Sequence, residues 1–382
     1  MSDEMPVDWD PRSSAVQDNQ IAAYDDMRHR CPVAHSAYGN WAVFRHADVV
    51  RILDDPAAFS NRVSPRRSVP NGMDPPEHTL FRDINDRYFT PERMRAFEPD
   101  CREVTRGLLD ALGDGEVEIM SALAEPFANH MQCRFMGWPE RLNEPLREWA
   151  RRNREATLAL DREAMAAVAG EFDTHIREQL DERRENPTHD VTSELLAERV
   201  DGRPLSDDEL VSMIRNWTVG ELSTISAGVG IVASFLASRP DVQSVLRAEP
   251  DRIRAACDEI LRIRPPLIAN RRRTTRDVVV ADRAIPAGER VLVLWASADR
   301  DEEIFGEPDE FSFDRDPEPN LLYGRGVHAC PGAPLARLEL TVLVEELLGA
   351  TTSLTAAEGA HLVYATYPAG GYSEVSVSLV RR

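Results

Sequence analysis

One stretch of this sequence restricts the fold more than any other: residues 208–238, DELVSMIRNWTVGELSTISAGVGIVASFLAS. It is the longest apolar helix candidate, and apolar residues would occupy every side of the helix that it forms. A surface helix keeps one polar face, so this helix is expected to run through the protein core. Helical periodicity extends around it from about residue 77 to about residue 264, with breaks at Pro91, Gly113–Gly115, Pro139, Pro187 and Gly202–Pro204.

A smaller β portion accompanies these helices. Residues 41–53 predict a strand that runs into a helix, and residues 278–297 (VVVADRAIPAGERVLVLWAS) predict a hairpin with a Pro-Ala-Gly turn. Residues 60–76 are rich in proline, arginine and serine and predict a long irregular loop. An amphipathic helix is expected over 333–348 and strands over 361–380. No linker separates these parts, and the predicted fold is mainly α with a smaller β region.

The composition excludes several classes of function. The 382 residues carry a formal net charge of −21, which argues against nucleic acid as a partner. None of the 45 basic residues is a lysine, which rules out lysine Schiff-base and Walker-type chemistry. No stretch approaches the roughly 18 consecutive apolar residues that span a bilayer, and the acidic, polar start does not resemble a signal peptide. These features predict a soluble, cytoplasmic protein with no membrane partner.

The five cysteines are scattered and odd in number, which favours neither a disulfide framework nor a zinc site. Four of them are interpreted as small buried hydrophobic residues. Cys330 differs, because residues 321–340 (LLYGRGVHACPGAPLARLEL) surround it with glycines that allow positive φ and close backbone approach. Pro331 and Gly332 precede an apolar helix, so N–H groups at its start would point at the sulfur and stabilise a sheltered thiolate of lowered pKa.

Three interpretations of Cys330 are open from the residues alone. It is a buried structural cysteine, a nucleophile poorly served by His328 so close in sequence, or a thiolate bound axially to haem iron. The stretch resembles the haem-ligand loop of the cytochrome P-450 superfamily, F-G-x-G-x-H-x-C-x-G, with Tyr323 in place of the usual Phe. The resemblance implies that Cys330 is the proximal ligand of the iron of haem b. It also implies that His328 faces a haem propionate and that Tyr323 shields the sulfur.

Other motifs match the same family. Glu259 and Arg262 in DEILRIRPP lie at i and i+3 of a helix, where an ion pair can form. The family has a buried network at this place, and Arg315 fits the later arginine that completes it. His78 and Arg82 in DPPEHTLFRD lie at i and i+4, and the resemblance places this pair against a haem propionate.

The resemblance extends over almost the whole chain. Arg272 in RRRTTRD fits the arginine that meets the other propionate, although Arg271 and Arg273 are alternatives. Arginine and histidine suit propionates because they supply charge-assisted hydrogen bonds. Three more segments match in the family's order: IPAGE (285–289), ADRDEEIFGEPDEF (298–311) and LARLEL (335–340). The resemblance implies the cytochrome P-450 fold, a single large domain, with an N-terminal tail over 1–19 and the haem domain over 20–382.

The long core helix departs from the family. Family members usually carry A-G-x-D/E-T-T there, and the acid and the alcohol deliver protons to the oxygen site. Residues 219–224 read VGELST, so Gly220 matches, but the acid position is Leu222 and the alcohol position is Ser223. Glu221 is displaced by one residue, a rotation of about 100° around the helix, and cannot simply replace the missing acid.

Three interpretations of this departure stay open. In the first, Glu221 bonds elsewhere, and Ser223 relays protons adequately with the help of water. In the second, activation of dioxygen is weakened, and hydrogen peroxide, which arrives already reduced and protonated, serves as the oxidant. In the third, the register differs and Thr224 is the alcohol. The catalytic candidates are therefore Ser223, Glu221 and Thr224.

The resemblance implies a bacterial-type haem-thiolate monooxygenase that hydroxylates or O-dealkylates its substrate. Because the sequence has no Rossmann fingerprint and no cysteine cluster, electrons are expected from a separate ferredoxin and its reductase. The competing interpretation is a haem-thiolate protein that is not an oxygenase, such as an isomerase, a dehydratase or a small-molecule binding module. The absence of an acid at Leu222 favours that alternative.

The family's substrate-contact positions predict a small apolar substrate, because most of them are small or aliphatic here. They are the 60–73 loop, Val219, Leu222, Ser223, Leu267–Asn270 and Tyr367–Ala369. Arg66, Arg67 and Asn270 are candidates for binding a polar substituent. Glycine–acid–leucine at 220–222 faintly resembles bacterial members that O-demethylate methoxyphenols, so an aromatic, methoxy-bearing substrate is one hypothesis.

Overall fold

The structure, a computed structural model, describes residues 7–359, 362–367 and 369–382. Helices dominate it, in agreement with the predicted fold class. Their bounds are α1 Ser14–Asp18, α2 Gln20–Arg30, α3 His46–Leu53, α4 Glu77–Asp86, α5 Pro91–Ala111, α6 Glu125–Met136, α7 Asn143–Leu158, α8 Arg162–Glu185, α9 Val191–Ala197, α10 Asp207–Gly220, α11 Ser226–Ser238, α12 Pro240–Ala248, α13 Ile253–Ile263, α14 Trp295–Ala298, α15 Glu302–Phe305 and α16 Ala333–Ala350.

The central helix is continuous over Asp207–Ser238 and consists of α10, a π-helical turn at Glu221–Ile225, and α11. A capping box starts it: the Ser206 hydroxyl accepts from the Glu209 N–H, and the Glu209 carboxylate accepts from the Ser206 N–H. By length and composition it could cross a membrane, since its most apolar window has a mean hydropathy of 1.5. However, 67% of that window is buried inside the protein, which confirms the predicted core helix.

Other helices surround the central helix. The π-helical turn packs against α6 and α16, α11 packs against α13, and α16 also lies along α5. One large apolar cluster fills the space between them and includes Phe127 and Met131 on α6, Ile231 on α11, and Leu340 and Leu343 on α16. The central helix therefore touches the helix that follows the cysteine loop.

The β portion is small and lies beside this helical body. Its strands are β1 Val33–His35, β2 Asn40–Val43, β3 Phe59–Ser60, β4 Gly115–Glu118, β5 Arg199–Val200, β6 Arg203–Pro204, β7 Ala269–Thr274, β8 Val278–Val280, β9 Arg283–Ile285, β10 Arg290–Leu294, β11 Thr351–Ala356, β12 Val363–Tyr364, β13 Tyr372–Glu374 and β14 Ser376–Arg381. The largest sheet has the order β1-β2-β10-β7-β3, and only its β10–β2 pair is parallel. This sheet carries Arg272 on β7.

The hairpin predicted over 278–297 forms around a different turn. β8 pairs with β9, and Ala281 and Asp282 between them have φ of 42° and 65°. Positive φ at both central residues is the geometry of a tight two-residue hairpin loop. The Pro-Ala-Gly segment instead connects β9 to β10, which pairs with β2 and β7. Sequence reasoning missed the tight turn because alanine rarely takes positive φ.

Most other predicted elements are confirmed. Residues 41–53 form most of β2 and all of α3, the chain between β3 and α4 is irregular, and the helix expected over 333–348 is α16. The strands expected over 361–380 are β12, β13 and most of β14, although residues 361 and 368 lie outside the described residues. Residues 1–6 of the predicted tail also lie outside them, while Trp9 is buried and packs edge-on against Phe44. The boundary at residue 20 stays a prediction.

A buried ionic network joins α13 to the chain before the cysteine loop. Arg262 has 0% exposure, and its Nε donates to Glu259 at 2.7 Å. Arg315 donates to the other oxygen of Glu259 at 2.6 Å, as the resemblance implies. Arg262 also donates to the carbonyl oxygens of Asp299 and Pro308, at 2.6 Å and 2.9 Å. These bonds fix the path of residues 299–315, which lead into the cysteine loop.

Candidate functional site

The cysteine loop is shaped by its glycines. Residues Gly326–His328 form a single 3₁₀ turn, and Gly324 and Gly326 have φ of 68° and 71°. A Cβ atom on Gly326 would lie 3.0 Å from the carbonyl oxygen of Leu53, so this position needs glycine for both conformation and space. The loop closes when the Cys330 N–H donates to the carbonyl of Tyr323 at 2.7 Å.

The Cys330 sulfur lies at the start of α16, where the backbone N–H groups of Gly332 and Ala333 hydrogen-bond to it. This contact was predicted from the sequence. The expected lowering of the thiol pKa is wrong for the protein alone: burial raises it, and the two N–H groups and Arg82 offset only part of the rise. The side chain is nevertheless accessible. A side chain that is surrounded by protein and still accessible lines an internal cleft.

Four basic side chains gather at one side of this loop. His78 and Arg82 come from α4, Arg272 from β7 and His328 from the loop itself. The imidazole rings of His78 and His328 lie 4.3 Å apart between centroids. Arg82 donates to the carbonyl oxygens of Val327 and Ala329, at 3.2 Å and 2.6 Å. The structure therefore brings together the residues that the resemblance assigned to the propionates.

The charge in this cluster is only partly balanced: Arg82 pairs with Asp86 at 2.6 Å, whereas Arg272 has no ion pair in the described part of the chain. Burial lowers the pKa of Arg272 to about 10, and Asp74 is the acid that partly opposes this shift. Burial and the neighbouring His78 and Arg272 lower the pKa of His328 to about 3. The Nε2 atom of His328 is buried with no hydrogen-bond partner among the described residues. A buried guanidinium beside an imidazole with an unused ring nitrogen is suited to an anion.

Burial distinguishes Arg272 from the arginines on either side of it. Arg272 is 4% exposed, whereas Arg271 and Arg273 on either side of it are exposed. Because side chains alternate along β7, only the middle arginine points to the interior. The recorded side-chain bond of Arg272 is to the carbonyl oxygen of Arg271, at 2.8 Å.

The central helix has an accessible face at the π-helical turn. Gly220 and Ser223 are exposed, and Thr224 is half-buried, although the helix around them is buried. The Ser223 hydroxyl donates to the Val219 carbonyl at 2.6 Å, and the Thr224 hydroxyl donates to the Gly220 carbonyl at 2.7 Å. Exposure on a helix of the core indicates that this face lines the internal cleft. π-Helical turns are rare and frequent at functional sites.

Glu221 and Leu222 lie on the other side of the same turn. Leu222 is 6% exposed and belongs to the apolar core, so this predicted substrate contact is not accessible. Glu221 is 9% exposed, and its carboxyl group hydrogen-bonds to the carboxyl group of Glu339 on α16. Burial raises the pKa of both groups. Sequence analysis did not single out Glu339, although it lies in the LARLEL segment.

Tyr323 contacts the Arg337–Asp258 ion pair through its ring and through a hydroxyl that phenylalanine lacks. The guanidinium of Arg337 lies over its ring, 4.5 Å from the centroid, and also pairs with Asp258 at 2.9 Å. The Tyr323 hydroxyl hydrogen-bonds to Asp258 and helps to restrain the pKa of that carboxyl, which burial raises overall. Arg337 and Asp258 were missed from the sequence, because nothing in their spacing relates them to Tyr323.

The arginines of the 60–73 loop are exposed and paired. Arg66 forms an ion pair with Asp173 on α8, and Arg67 pairs with Glu77 at 2.9 Å. Their charges are thus satisfied by protein carboxylates rather than held free for a substrate. Leu267 is 41% exposed and forms an isolated β-bridge with Ala369. Pro368, between the other predicted contacts Tyr367 and Ala369, lies outside the described residues.

Comparisons with known proteins agree with this geometry. The family model "Cytochrome P450" matches residues 140–350. Erythromycin C-12 hydroxylase of Saccharopolyspora erythraea is 34% identical over 345 residues, which cover 86% of each chain. The chain belongs to the cytochrome P-450 family. Cyclomarin C epoxidase of Salinispora arenicola, another P-450 relative, is 32% identical over 84% of this chain and 86% of its own.

The structural relatives are cytochromes P-450 as well. A mutant of P-450 EryK in complex with erythromycin B superimposes with a TM-score of 0.87 and 31% identity, over 94% of this chain and 96% of its own. A cytochrome P-450 of Chondromyces apiculatus gives a TM-score of 0.89 with 28% identity, over 99% of this chain and 100% of its own. The predicted P-450 fold is confirmed, and the chain is an oxidoreductase of the monooxygenase class.

The cofactor of this P-450 family is haem b, whose iron is held by a cysteine thiolate. The residues of the chain fit that group. Cys330 supplies an accessible sulfur, and the cluster around Arg272 and His328 supplies unused donors and excess positive charge for carboxylates. The accessible Gly220 lets a flat group approach the central helix, since a Cβ there would meet nothing within 4 Å.

Proposed function

We propose that this cytochrome P-450 inserts one oxygen atom of dioxygen into an apolar substrate, in a cleft between Cys330 and the accessible face of the central helix. The observation that carries the proposal is the accessible, N–H-bonded sulfur of Cys330 beside the buried guanidinium of Arg272, which has no ion pair among the described residues. Haem b held by Cys330 would supply the activation of oxygen, which the electron-donating thiolate favours.

Haem would be anchored by four side chains of the chain. Arg272 and His328 would bind propionate oxygens directly. Arg272 is buried and uses only one of its nitrogens in a hydrogen bond, and the buried Nε2 of half-buried His328 has no partner among the described residues. His78 and Arg82 would complete the anionic site from α4, where Arg82 already holds the loop by its two carbonyl bonds. Tyr323 would shield the sulfur from water, with its ring held against Arg337.

Proton delivery is assigned to Ser223. Its hydroxyl is exposed toward the cleft, and because it donates to the Val219 carbonyl, its lone pairs are free to accept from water. Thr224 makes the matching bond one residue on but is less accessible, so the register with Ser223 as the alcohol is favoured. Glu221 bonds elsewhere, to Glu339, as the first of the three interpretations has it.

The substrate is proposed to be apolar, because the accessible positions include Val219 and Leu267 and the loop arginines are paired with carboxylates. The names of three relatives mention erythromycin, cyclomarin C and vitamin D(3), and a related structure is a complex with testosterone. These molecules favour a bulky apolar skeleton over the small substrate predicted from the residues. O-Dealkylation of a methoxy-bearing aromatic rests on residues 220–222 alone and stays a hypothesis.

Electrons are proposed to come from separate partners, a ferredoxin and its reductase. Bacterial cytochromes P-450 of this type generally use separate redox partners and dioxygen. Hydrogen peroxide as the oxidant is the second candidate, and one observation favours it: Leu222 is buried and supplies no acid to the cleft. The relatives named above are oxygenases, which disfavours an isomerase, a dehydratase or a binding module.

A substrate screen run twice tests this function. One arm supplies a ferredoxin, its reductase and dioxygen, and the other supplies hydrogen peroxide alone. Turnover in the first arm supports the proposal, and turnover in the second arm alone supports the peroxide route. The carbon-monoxide difference spectrum of the reduced protein tests the ligand independently. A spectrum typical of histidine-ligated haem instead of the red-shifted thiolate band would contradict the role of Cys330.

A further inference from the structure

Two buried carboxyl groups meet behind the accessible face of the central helix. Glu221 lies in the π-helical turn, which packs against α16, and Glu339 on α16 has 0% exposure. The two carboxyl groups hydrogen-bond to each other. Oε1 of Glu221 and both carboxyl oxygens of Glu339 are buried and accept no hydrogen bond from any N–H group in the described part of the chain.

This pair must retain a proton. Carboxylate oxygens accept hydrogen bonds and donate none, so two carboxyl groups can bond only if at least one is protonated. Burial raises the pKa of both groups, and the negative charge of Glu221 raises that of Glu339 further. The titratable groups that feel the charge of the pair from other elements are the thiols of Cys101 on α5 and Cys330.

The Glu221–Glu339 hydrogen bond lies at the start of the π-helical turn of the central helix. A π-helical turn contains one residue more than an α-helical turn and is maintained by tertiary contacts rather than by its own propensity. Glu221 is the first residue of that turn, and Ser223 on its accessible face is two positions later. A hydrogen bond from Glu221 to α16 therefore restrains the direction in which the Ser223 side chain points.

We propose that Glu339 is a positioning residue, whose shared proton with Glu221 ties α16 to the π-helical turn and fixes the face that presents Gly220 and Ser223 to the cleft. Glu221 acts in the same way from the other end of the bond. The inference deepens the proposed function and rests on the role given there to Ser223. At high pH both carboxyl groups ionise, the bond is lost, and the two charges repel across the helix contact.

Amide hydrogen exchange of residues 219–226 in the haem-loaded protein tests this role, with protection factors compared between about pH 6 and about pH 9. The native protein is expected to lose protection of this segment at the higher pH, as the pair releases its shared proton. Glu339→Leu removes the bond and is expected to show the low protection at every pH. Glu339→Gln keeps a donor for the Glu221 carboxylate and is expected to flatten the pH dependence.

The matched control is Glu345→Gln on the same helix, whose carboxylate pairs with Arg102 on α5 instead. It should leave the protection of 219–226 and its pH dependence as in the native protein. Native protection in Glu339→Leu at every pH would overturn the inference. If Glu339→Leu does not fold, the result rests on Glu339→Gln, and a pH dependence identical to the native one would overturn it.

Amide hydrogen exchange is measured independently of substrate turnover. The positioning role of Glu339 and the proposed function can therefore fail separately. If no substrate is oxidised in either arm of the screen but the exchange results are as expected, the proposed function fails and the positioning of the turn stands. If oxidation proceeds but exchange does not respond to Glu339, the inference fails and the function stands.

Discussion

Among the single residues of the site, Arg272 gives the clearest evidence that the site binds an anion. A buried arginine ordinarily pairs with a carboxylate, because an unpaired charge in the interior is costly. The Arg272 guanidinium donates to the carbonyl oxygen of Arg271, and it lies near His328, which in turn neighbours His78. Its guanidinium is therefore available for an anion that the folded chain does not itself provide.

Replacing Arg272 by alanine is expected to weaken haem retention. A hydrogen bond to a charged group contributes about 1.5–3 kcal/mol, so haem should dissociate roughly 10- to 150-fold faster. Transfer of haem to excess apomyoglobin measures this rate. Arg271→Ala is the matched control, since the exposed neighbour on the same strand should have no effect. Equal transfer rates in the two variants would show that the propionates bind elsewhere.

Ser223→Ala is expected to affect the dioxygen route more than the peroxide route. Dioxygen needs two protons before its O–O bond breaks, whereas peroxide brings its own. Loss of a proton relay costs about 10²- to 10⁴-fold, so product formed per electron pair should fall at least tenfold. Product and consumed reduced cofactor are measured together, and the same variant is assayed with peroxide. Ser223→Thr keeps the hydroxyl and should retain coupling; an equal loss in both routes would contradict the relay.

At the scale of elements, the cysteine loop depends on backbone that only glycine adopts easily. Gly326→Ala is expected to destabilise the protein by about 1–2 kcal/mol from its positive φ, with a further cost from the contact with Leu53. Gly107→Ala is the control, because Gly107 lies within α5 with open space at its Cβ. It should stabilise the helix by about 0.5–1 kcal/mol. Urea unfolding measures both, and equal stability of the two variants would contradict the argument.

At the scale of the whole molecule, one buried acid should make stability depend on pH. Asp299 has 0% exposure, and burial raises its pKa from 3.8 to about 8, although the Leu321 N–H and Arg262 lower it and Glu259 raises it. Between these two pH values the unfolded chain releases a proton that the folded chain keeps. Stability should therefore be highest below pH 3.8 with respect to this group and fall as pH rises toward 8.

Asp299→Asn is expected to remove that dependence. The amide oxygen still accepts from the Leu321 N–H, which is 2.7 Å from the carboxyl oxygen, but the side chain no longer ionises. The native protein should lose up to ~1.4 kcal/mol more per pH unit than the variant. Chemical unfolding at pH 5 to 8 measures the difference within the range set by the pKa, with exposed Asp314→Asn as the control. Parallel profiles for native protein and Asp299→Asn would show that Asp299 is ionised throughout.

The amino-acid sequence was sufficient to predict the family, the core helix and most of the residues proposed to hold the cofactor. Cys330, His328, His78 and Arg82 are recognisable because their chemistry depends on local spacing, within a loop or at i and i+4 of one helix. A helix that is apolar on every side must be buried, in a protein core or in a membrane. Local pattern was sufficient for all of these.

Other features of the site depend on contacts between segments that are distant in sequence, and only the folded structure shows them. The Glu221–Glu339 pair joins residues more than a hundred positions apart, so no local pattern shows it, and its orientation decided that Glu221 does not face the cleft. The choice of Arg272 followed from which side of β7 is covered, and the rise in the Cys330 pKa followed from burial. Burial and charge pairing are sums over neighbours that only the folded chain brings together, which is why the sequence left them open.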